Sequence, residues 1–322
     1  MFRMLTCSLL CLAVVSPAFA ADKNPAFTTA SEAGPDFVIQ GEYVGKLEGA
    51  DWGAQVIALG EGKFDVVGFK GGLPGAGWKR GDETKLAKGV TADGNVKLTC
   101  DKGTGTIKDG VLTITVEGKD VGQLKKTERK SPTLGAKPPE GAKVLFDGSN
   151  TDNWENGKLI EGSLLGATNV KTKDKFQDFT LHIEFRTPFM PASRGQGRGN
   201  SGVYIQGRYE CQVLDSFGLD GKDNECGGIY SINKPIVNAC LPPLAWQTYD
   251  MEFKAARYGA DGKKTENGHV TIKHNGIVIH DDQELKHGTP GYKPEGPEPC
   301  ELFLQDHGNP VAFRNIWIVT KK

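Results

Sequence analysis

The chain has 322 residues and a formal net charge of −1. A balance of 39 Lys plus Arg against 40 Asp plus Glu supplies no basic field for a phosphate backbone, so nucleic acid is excluded as a leading partner. The 43 glycines follow no fixed period, which excludes a collagen-like chain and points to tight turns, and the length is enough for two domains with a core each.

Residues 1–20 read as an export signal: Arg3 is the positive start, residues 5–15 the apolar stretch, and Ala18, Phe19 and Ala20 an A-x-A cleavage site. The stretch is shorter than the roughly 20 apolar residues a spanning helix needs. No membrane contact is therefore expected after cleavage, and the mature chain is expected in the periplasm or outside the cell. Cleavage removes Cys7 and Cys11 and leaves Cys100, Cys211, Cys226, Cys240 and Cys300. In an oxidising compartment Cys226 and Cys240 are expected to pair, because both lie in loop-like sequence and bracket one short segment. Cys211 alternates inside a strand pattern and reads as a buried apolar residue. The odd count leaves at least one cysteine without a partner in the chain.

Almost every later periodic segment alternates with period two. Within residues 21–130, Gly-bounded runs at 55–59, 63–69, 96–100, 104–108 and 111–116 are rich in Val, Ile, Thr and Phe and predict a small antiparallel barrel or sandwich. Asp109 and Gly110 predict a two-residue hairpin, since a type I′ turn needs positive φ at both central positions. The Gly-rich stretch 71–75 lacks the following helix and the Lys of a phosphate-cradling loop and is expected as a turn. Residues 131–141, rich in Pro and Gly, read as a linker. Beyond it, runs at 179–186, 202–206, 209–214, 248–255, 269–274, 277–280, 301–305 and 313–319 predict antiparallel strands, with a second hairpin at Asn275 and Gly276. No apolar stripe of helical period exceeds about two turns. The chain is expected to be all-β, with a two-sheet jelly-roll sandwich over residues 142–322.

Each strand's polar face can be read separately, because side chains alternate across a strand. Residues 179–186 place His182, Glu184 and Arg186 together, 209–214 place Glu210 and Gln212 together, and 301–307 place Phe303, Gln305 and, if the strand continues, His307 together. Asp215 falls on the other side from Glu210 unless a bulge intervenes. Glu184, Arg186, Glu210, Gln212, Gln305 and His307 are expected to form one polar floor on a concave sheet, walled by loops 190–199 and 216–226. Such a floor suits a sugar, whose hydroxyls take polar partners while its ring faces stack on Tyr204, Tyr209, Tyr230 or Trp246. Trp246 fits a core position equally well.

The run Gly199, Asn200, Ser201, Gly202, Val203, Tyr204, followed by Tyr209, Glu210, Cys211, Gln212, Val213, Leu214, Asp215, resembles the central motif of the 3-keto-disaccharide hydrolase domain family. That family is also described as 3-keto-glucoside 1,2-lyase and 3-keto-2-hydroxyglucal hydratase. Leu145 to Gly148 with Trp154, Gly228 to Tyr230, Trp246 with Tyr249, and Leu304 to Gly308 with Phe313 to Ile316 extend the resemblance over residues 141–322. It implies a concanavalin-like jelly roll that cleaves 3-keto-glycosides by elimination and hydration, a net hydrolysis. It says nothing of the residues before it.

Such chemistry needs a base for the acidified C2 proton, an acid for the leaving oxygen and a stabiliser for the enolate. On this resemblance His307 and Glu210 suit the proton transfers, and Arg186 or a bound divalent cation suits the enolate. Asn200 and Gln212 suit the substrate hydroxyls, with Tyr204, Glu184, Gln305, Asp215 and Trp246 lining the substrate site. Asp215, Glu210, His307 and Glu184 would be the mixed oxygen and nitrogen ligands if a metal is bound. A retaining glucanase carries a central acid where Gln212 stands, so direct displacement at an unoxidised sugar is not expected. The alternative is a non-catalytic carbohydrate-binding sandwich, which needs the same floor but no proton carrier. An exposed His307 far from Glu210 would favour it. The oligomeric state is left open.

Overall fold

The computed structural model describes residues 24–321, so the expected leader, with Cys7 and Cys11, lies outside the described residues. Among the described residues helix is confined to Gly34–Ile39 and a 3₁₀ turn at Gly195–Gly197, and the protein is all-β.

Eight antiparallel strands, from Gly41–Leu47 to Lys119–Thr127, close into a barrel because the first pairs with both Ala50–Gly60 and the last. Closure leaves this sheet no open edge. The hairpin positions have the positive φ expected of them, 47° and 74° at Asp109 and Gly110, and 52° and 78° at Asn275 and Gly276 in the second domain. Tyr43, Val56, Phe64, Val66, Val96 and Leu112 pack inside the barrel, and Phe189 from the second domain joins the same cluster. Phe189 is fully buried, exchanges backbone hydrogen bonds with Phe27 at 3.0 and 2.9 Å, and meets Phe37 edge-on with centroids 5.3 Å apart. The two domains therefore share a core.

The expected linker is in fact a strap. Residues 131–136 lie on the outer face of the larger sheet of the second domain: Thr133 Oγ1 donates to Asp250 at 2.6 Å, Gly135 N–H to Glu184 at 2.6 Å, and the Ala136 carbonyl accepts from Asn315 at 3.0 Å and Trp317 at 3.2 Å. Arg80 fixes the barrel from another side, donating to the carbonyls of Asp220, Gly221, Pro235 and Ile236 at 2.9–3.2 Å.

The second domain is a jelly-roll sandwich of an eight-stranded and a five-stranded sheet. Phe179–Arg186 runs through the larger sheet between Gln247–Lys254 and Ala312–Thr320. The smaller sheet has the order Trp154–Glu155, Val170–Thr172, Phe303–Leu304, Ser201–Ile205, Tyr209–Val213. Phe179, Leu181, Ile183 and Phe185 from the larger sheet meet Val203, Tyr209, Cys211, Val213 and Leu304 from the smaller in one apolar layer. Cys211 is buried there, as its alternation predicts.

The expected partners Cys226 and Cys240 lie side by side, within side-chain hydrogen-bond reach of each other, as free thiols. They are not in exposed loops but in the core, where each sulfur has a hydrogen-bond partner: Cys226 Sγ lies 3.3 Å from the Tyr249 hydroxyl and Cys240 Sγ donates to the Leu241 carbonyl at 3.4 Å.

If the two domains share a core through Phe189, Phe189→Ala should destabilise the protein by about 3–5 kcal/mol, the usual loss for a buried Phe. Urea unfolding measures this. A loss under about 1 kcal/mol would show that the ring is not part of the barrel's core.

Candidate functional site

Alternation around the apolar layer sends Glu210 and Gln212 to the outer face of the five-stranded sheet. Tyr204 stands opposite Glu210 in the ladder, and Gly202 opposite Gln212. The absence of a side chain at Gly202 lets the Glu210 carboxyl lie over the sheet, because a Cβ there would stand 2.3 Å from Oε1. The Tyr204 hydroxyl donates to the carboxylate. Gln305 in turn donates to that hydroxyl at 3.4 Å. In the orientation that satisfies its neighbours, the Gln212 amide nitrogen donates to Glu210 Oε1 at 2.9 Å and to the Ser201 carbonyl at 2.8 Å.

Glu210 is only 4% exposed, and burial, outweighing the Tyr204 hydrogen bond, pushes its pKa up to about 7. Burial, followed by the neighbouring Glu210 charge, raises the Tyr204 phenol, so it stays protonated and available as a donor. A carboxyl near neutrality beside a protonated phenol can take and return a proton while a second donor addresses an oxygen.

Aromatic and amide groups border this pair. Phe303 stacks on Tyr292 with centroids 4.2 Å apart and meets Tyr204 edge-on at 5.3 Å. Asn200 is fully buried; its amide nitrogen donates to the Gln196 carbonyl at 2.8 Å while its Oδ1 has no partner. Sequence reasoning missed Tyr292 and Gln196. Both lie on irregular connections without a period, where only spatial proximity could have found them.

His307 is exposed and lies beyond the end of Phe303–Leu304. Its loop is pinned on both sides to the start of Ser201–Ile205: Ser201 Oγ donates to the Gln305 carbonyl at 2.7 Å, and Asn200 N–H to Asn309 Oδ1 at 2.8 Å. His307 thus belongs to the rim, not the floor.

Besides His307, the structure removes Glu184 and Arg186 from the expected floor, and Trp246 and Asp215 from the expected substrate site. Glu184, Arg186 and Trp246 belong to the larger sheet's outer side, across the core from Glu210, because Ile183 and Phe185 point inward. Glu184 accepts from Gly135 N–H, from Arg314 at 2.7 Å and from Asn315 at 2.9 Å, beside His182. Burial alone would raise Glu184, but the hydrogen bonds from His182, Asn315, Arg314 and Gly135 outweigh it and hold its pKa down at about 2. Burial likewise disfavours charge on His182, and Asp250 and Glu184 overcome it, raising its pKa. Arg186 forks onto Glu161 with two 2.7 Å bonds and lies over the Trp246 ring, as does Arg314. Asp215 is also committed elsewhere, paired with Arg198 at 2.6 Å where the second domain faces the barrel. Tyr209 turns into the core. The four expected metal ligands therefore do not converge, and among the described residues no three His, Cys, Asp or Glu side chains could hold a cation together.

The raised Glu210 pKa has a sign that can be tested on stability. With a folded value of about 7 against an ordinary 4.5, folding favours the protonated carboxyl, so stability is lost as pH rises from about 4.5 to 7, by up to about 3 kcal/mol. Glu210→Gln should then leave stability nearly unchanged at pH 4 and raise it by a few kcal/mol at pH 8. Chemical denaturation at the two pH values checks this; equal effects at both would contradict a desolvated carboxyl.

No curated protein matches the chain. Among solved structures it is similar to a Parabacteroides distasonis ATCC 8503 protein described as a "putative glycosyl hydrolase", with 31% identity, 57% of this chain and 85% of that one covered, and a TM-score of 0.52. Two others from that organism with the same description are 19% and 24% identical, with TM-scores of 0.42 and 0.41, covering 57% and 56% of this chain and 95% and 99% of theirs. Residues 141–319, more than half of the chain, match the family described as the 3-keto-alpha-glucoside-1,2-lyase-like domain, and the chain belongs to that family.

Proposed function

We propose that the second domain cleaves 3-keto-glycosides by elimination and hydration, with Glu210 as the proton carrier. The observation that carries this reading is the buried Glu210 carboxyl, poised at about pH 7 beside the Tyr204 phenol in a domain of this family. A ketone at C3 acidifies the C2 proton. Glu210 takes that proton, the C1–O bond breaks with its electron pair leaving on oxygen, and a C1–C2 double bond forms. Water then adds its hydroxyl to C1 and gives its remaining proton to His307, and Glu210 returns a proton to C2, so the net change is hydrolysis. As Glu210 takes the proton, the Tyr204 hydroxyl is released from it and donates to the ketone oxygen as that becomes an enolate. Asn200, through its unpaired Oδ1, and Gln212 take sugar hydroxyls, and Tyr292 and Phe303 border the ring. His307, on the rim, protonates the leaving oxygen. The same reading has the chain exported, with carbohydrate as its partner, on the strength of residues 1–20.

One observation favours a second reading, a carbohydrate-binding module without catalysis: His307 is exposed and, among the described residues, takes no hydrogen bond. The two are separated by incubating the purified protein with 3-keto and unoxidised forms of one aryl glucoside and one alkyl glucoside. Release is expected from the keto forms alone, rising with pH through about 7 as Glu210 ionises. Glu210→Gln should lose at least about 100-fold, and His307→Ala should lose about as much on the alkyl form but less on the aryl form, whose leaving group needs less protonation. Binding of the keto form without turnover would move the binding module ahead, and normal turnover in Glu210→Gln would move the site elsewhere.

A further inference from the structure

The barrel is hollow towards one end. Near the second domain its interior is filled by Tyr43, Phe64, Val96 and Phe189, and a Cβ at Gly89 would stand 2.8 Å from Leu98 and 2.9 Å from Val96. Towards the other end lies a cavity of about 420 Å³, within the roughly 300–1,000 Å³ of small-molecule sites. Eight-stranded barrels either fill such a space with side chains or keep it for one small ligand.

Here several wall positions at the hollow end are small. Ala54, Gly68 and Ala87 lie in the wall, and a Cβ at Gly68 would meet nothing closer than the Trp52 ring at 3.6 Å, an ordinary contact. The remaining wall is largely aliphatic, including Leu98, Leu112, Ile114 and Leu124. A chain selected only for barrel stability would fill this space, because an unfilled apolar void is destabilising.

The rim decides the charge of the occupant. The lining carries Lys70, Lys85 and Lys102 against Glu48, Glu83 and Asp101, a formal balance of charge, and Glu83 is paired with Lys70 at 3.1 Å and with Lys85 at 2.9 Å. Trp52, half-buried in the wall, is the one aromatic surface among the cavity's lining residues.

We propose that the barrel cavity is a second binding site, taking one uncharged, mainly apolar small molecule that packs against Trp52. This site is independent of the reaction proposed for Glu210. It also gives the first domain a role beyond supporting the second.

The full-length protein is titrated with N-phenyl-1-naphthylamine, an uncharged probe that brightens in apolar surroundings, with tryptophan-to-probe energy transfer as a second signal. Saturable one-to-one binding is expected, with energy transfer reduced in Trp52→Phe. Filling the cavity with Ala87→Phe or Gly68→Leu should weaken binding at least about tenfold, while Glu210→Gln leaves it unchanged. Dodecanol separates the two sources of such chemistry: full competition assigns chain-like ligands, and failure to compete assigns ring systems. Absence of saturable binding to the wild-type protein overturns the proposal. So does unchanged affinity in a folded cavity-filled variant, or full energy transfer in Trp52→Phe; should one filling variant fail to fold, the other and Trp52→Phe carry the test.

Discussion

An apolar layer between two sheets allows no side chain to serve both outer faces, and this constraint arranges the second domain. Each strand gives alternate residues to the layer, so the partner set of every polar residue is decided by which sheet its strand joins. On the larger sheet the outward residues His182, Glu184 and Asp250 meet the strap that arrives from the barrel. On the smaller sheet Tyr204, Glu210 and Gln212 point away from the strap and form a separate polar surface. Receiving the strap and holding a buried carboxyl without a cation therefore fall to opposite faces.

The two buried glutamates show how environment divides these tasks. Glu184 has a guanidinium, an amide, a backbone N–H and an imidazole directed at it, which stabilise its charge and hold its pKa at about 2. Glu210 has a phenol and an amide but no cation, and its pKa stands at about 7. The first arrangement makes a permanent carboxylate, and removing one partner of such a buried network usually costs about 3–5 kcal/mol. The second makes a group that changes protonation near neutrality, at a cost to stability of the kind expected of reactive sites. Gly202 contributes to that condition, since any side chain there would occupy the place of the carboxyl.

Much of this was legible in residue order. Alternation located Phe179–Arg186, Tyr209–Val213 and Val111–Val116 to within a residue, the Asp-Gly and Asn-Gly pairs located two hairpins, and the motif around Gly202 and Glu210 falls on one paired strand unit. What period two cannot say is which sheet a strand enters. That is why Glu184 and Arg186 were expected beside Glu210 when they face the other way. The barrel strands Gly41–Leu47, Thr84–Ala92 and Lys119–Thr127 were not anticipated, because their inward positions mix the large Tyr43, Leu47 and Leu124 with the small Gly45, Ala87 and Gly89, and Lys recurs along them, which blurs the alternation. The strap was hidden for a related reason: Pro and Gly mark an irregular path but not whether a surface receives it. Cys226 and Cys240 sat in sequence that reads as loop, yet irregular segments can still be buried, as these are.

The central claim is that desolvation holds the Glu210 carboxyl at a near-neutral pKa, and it can be observed without any substrate. Infrared titration of carboxyl-labelled glutamate, taken as the difference between wild-type protein and Glu210→Gln, isolates the protonated and ionised bands of this one group. The account predicts a midpoint near 7. A midpoint at the ordinary carboxyl value of about 4.3 would show that water reaches and stabilises the charge, and would contradict it.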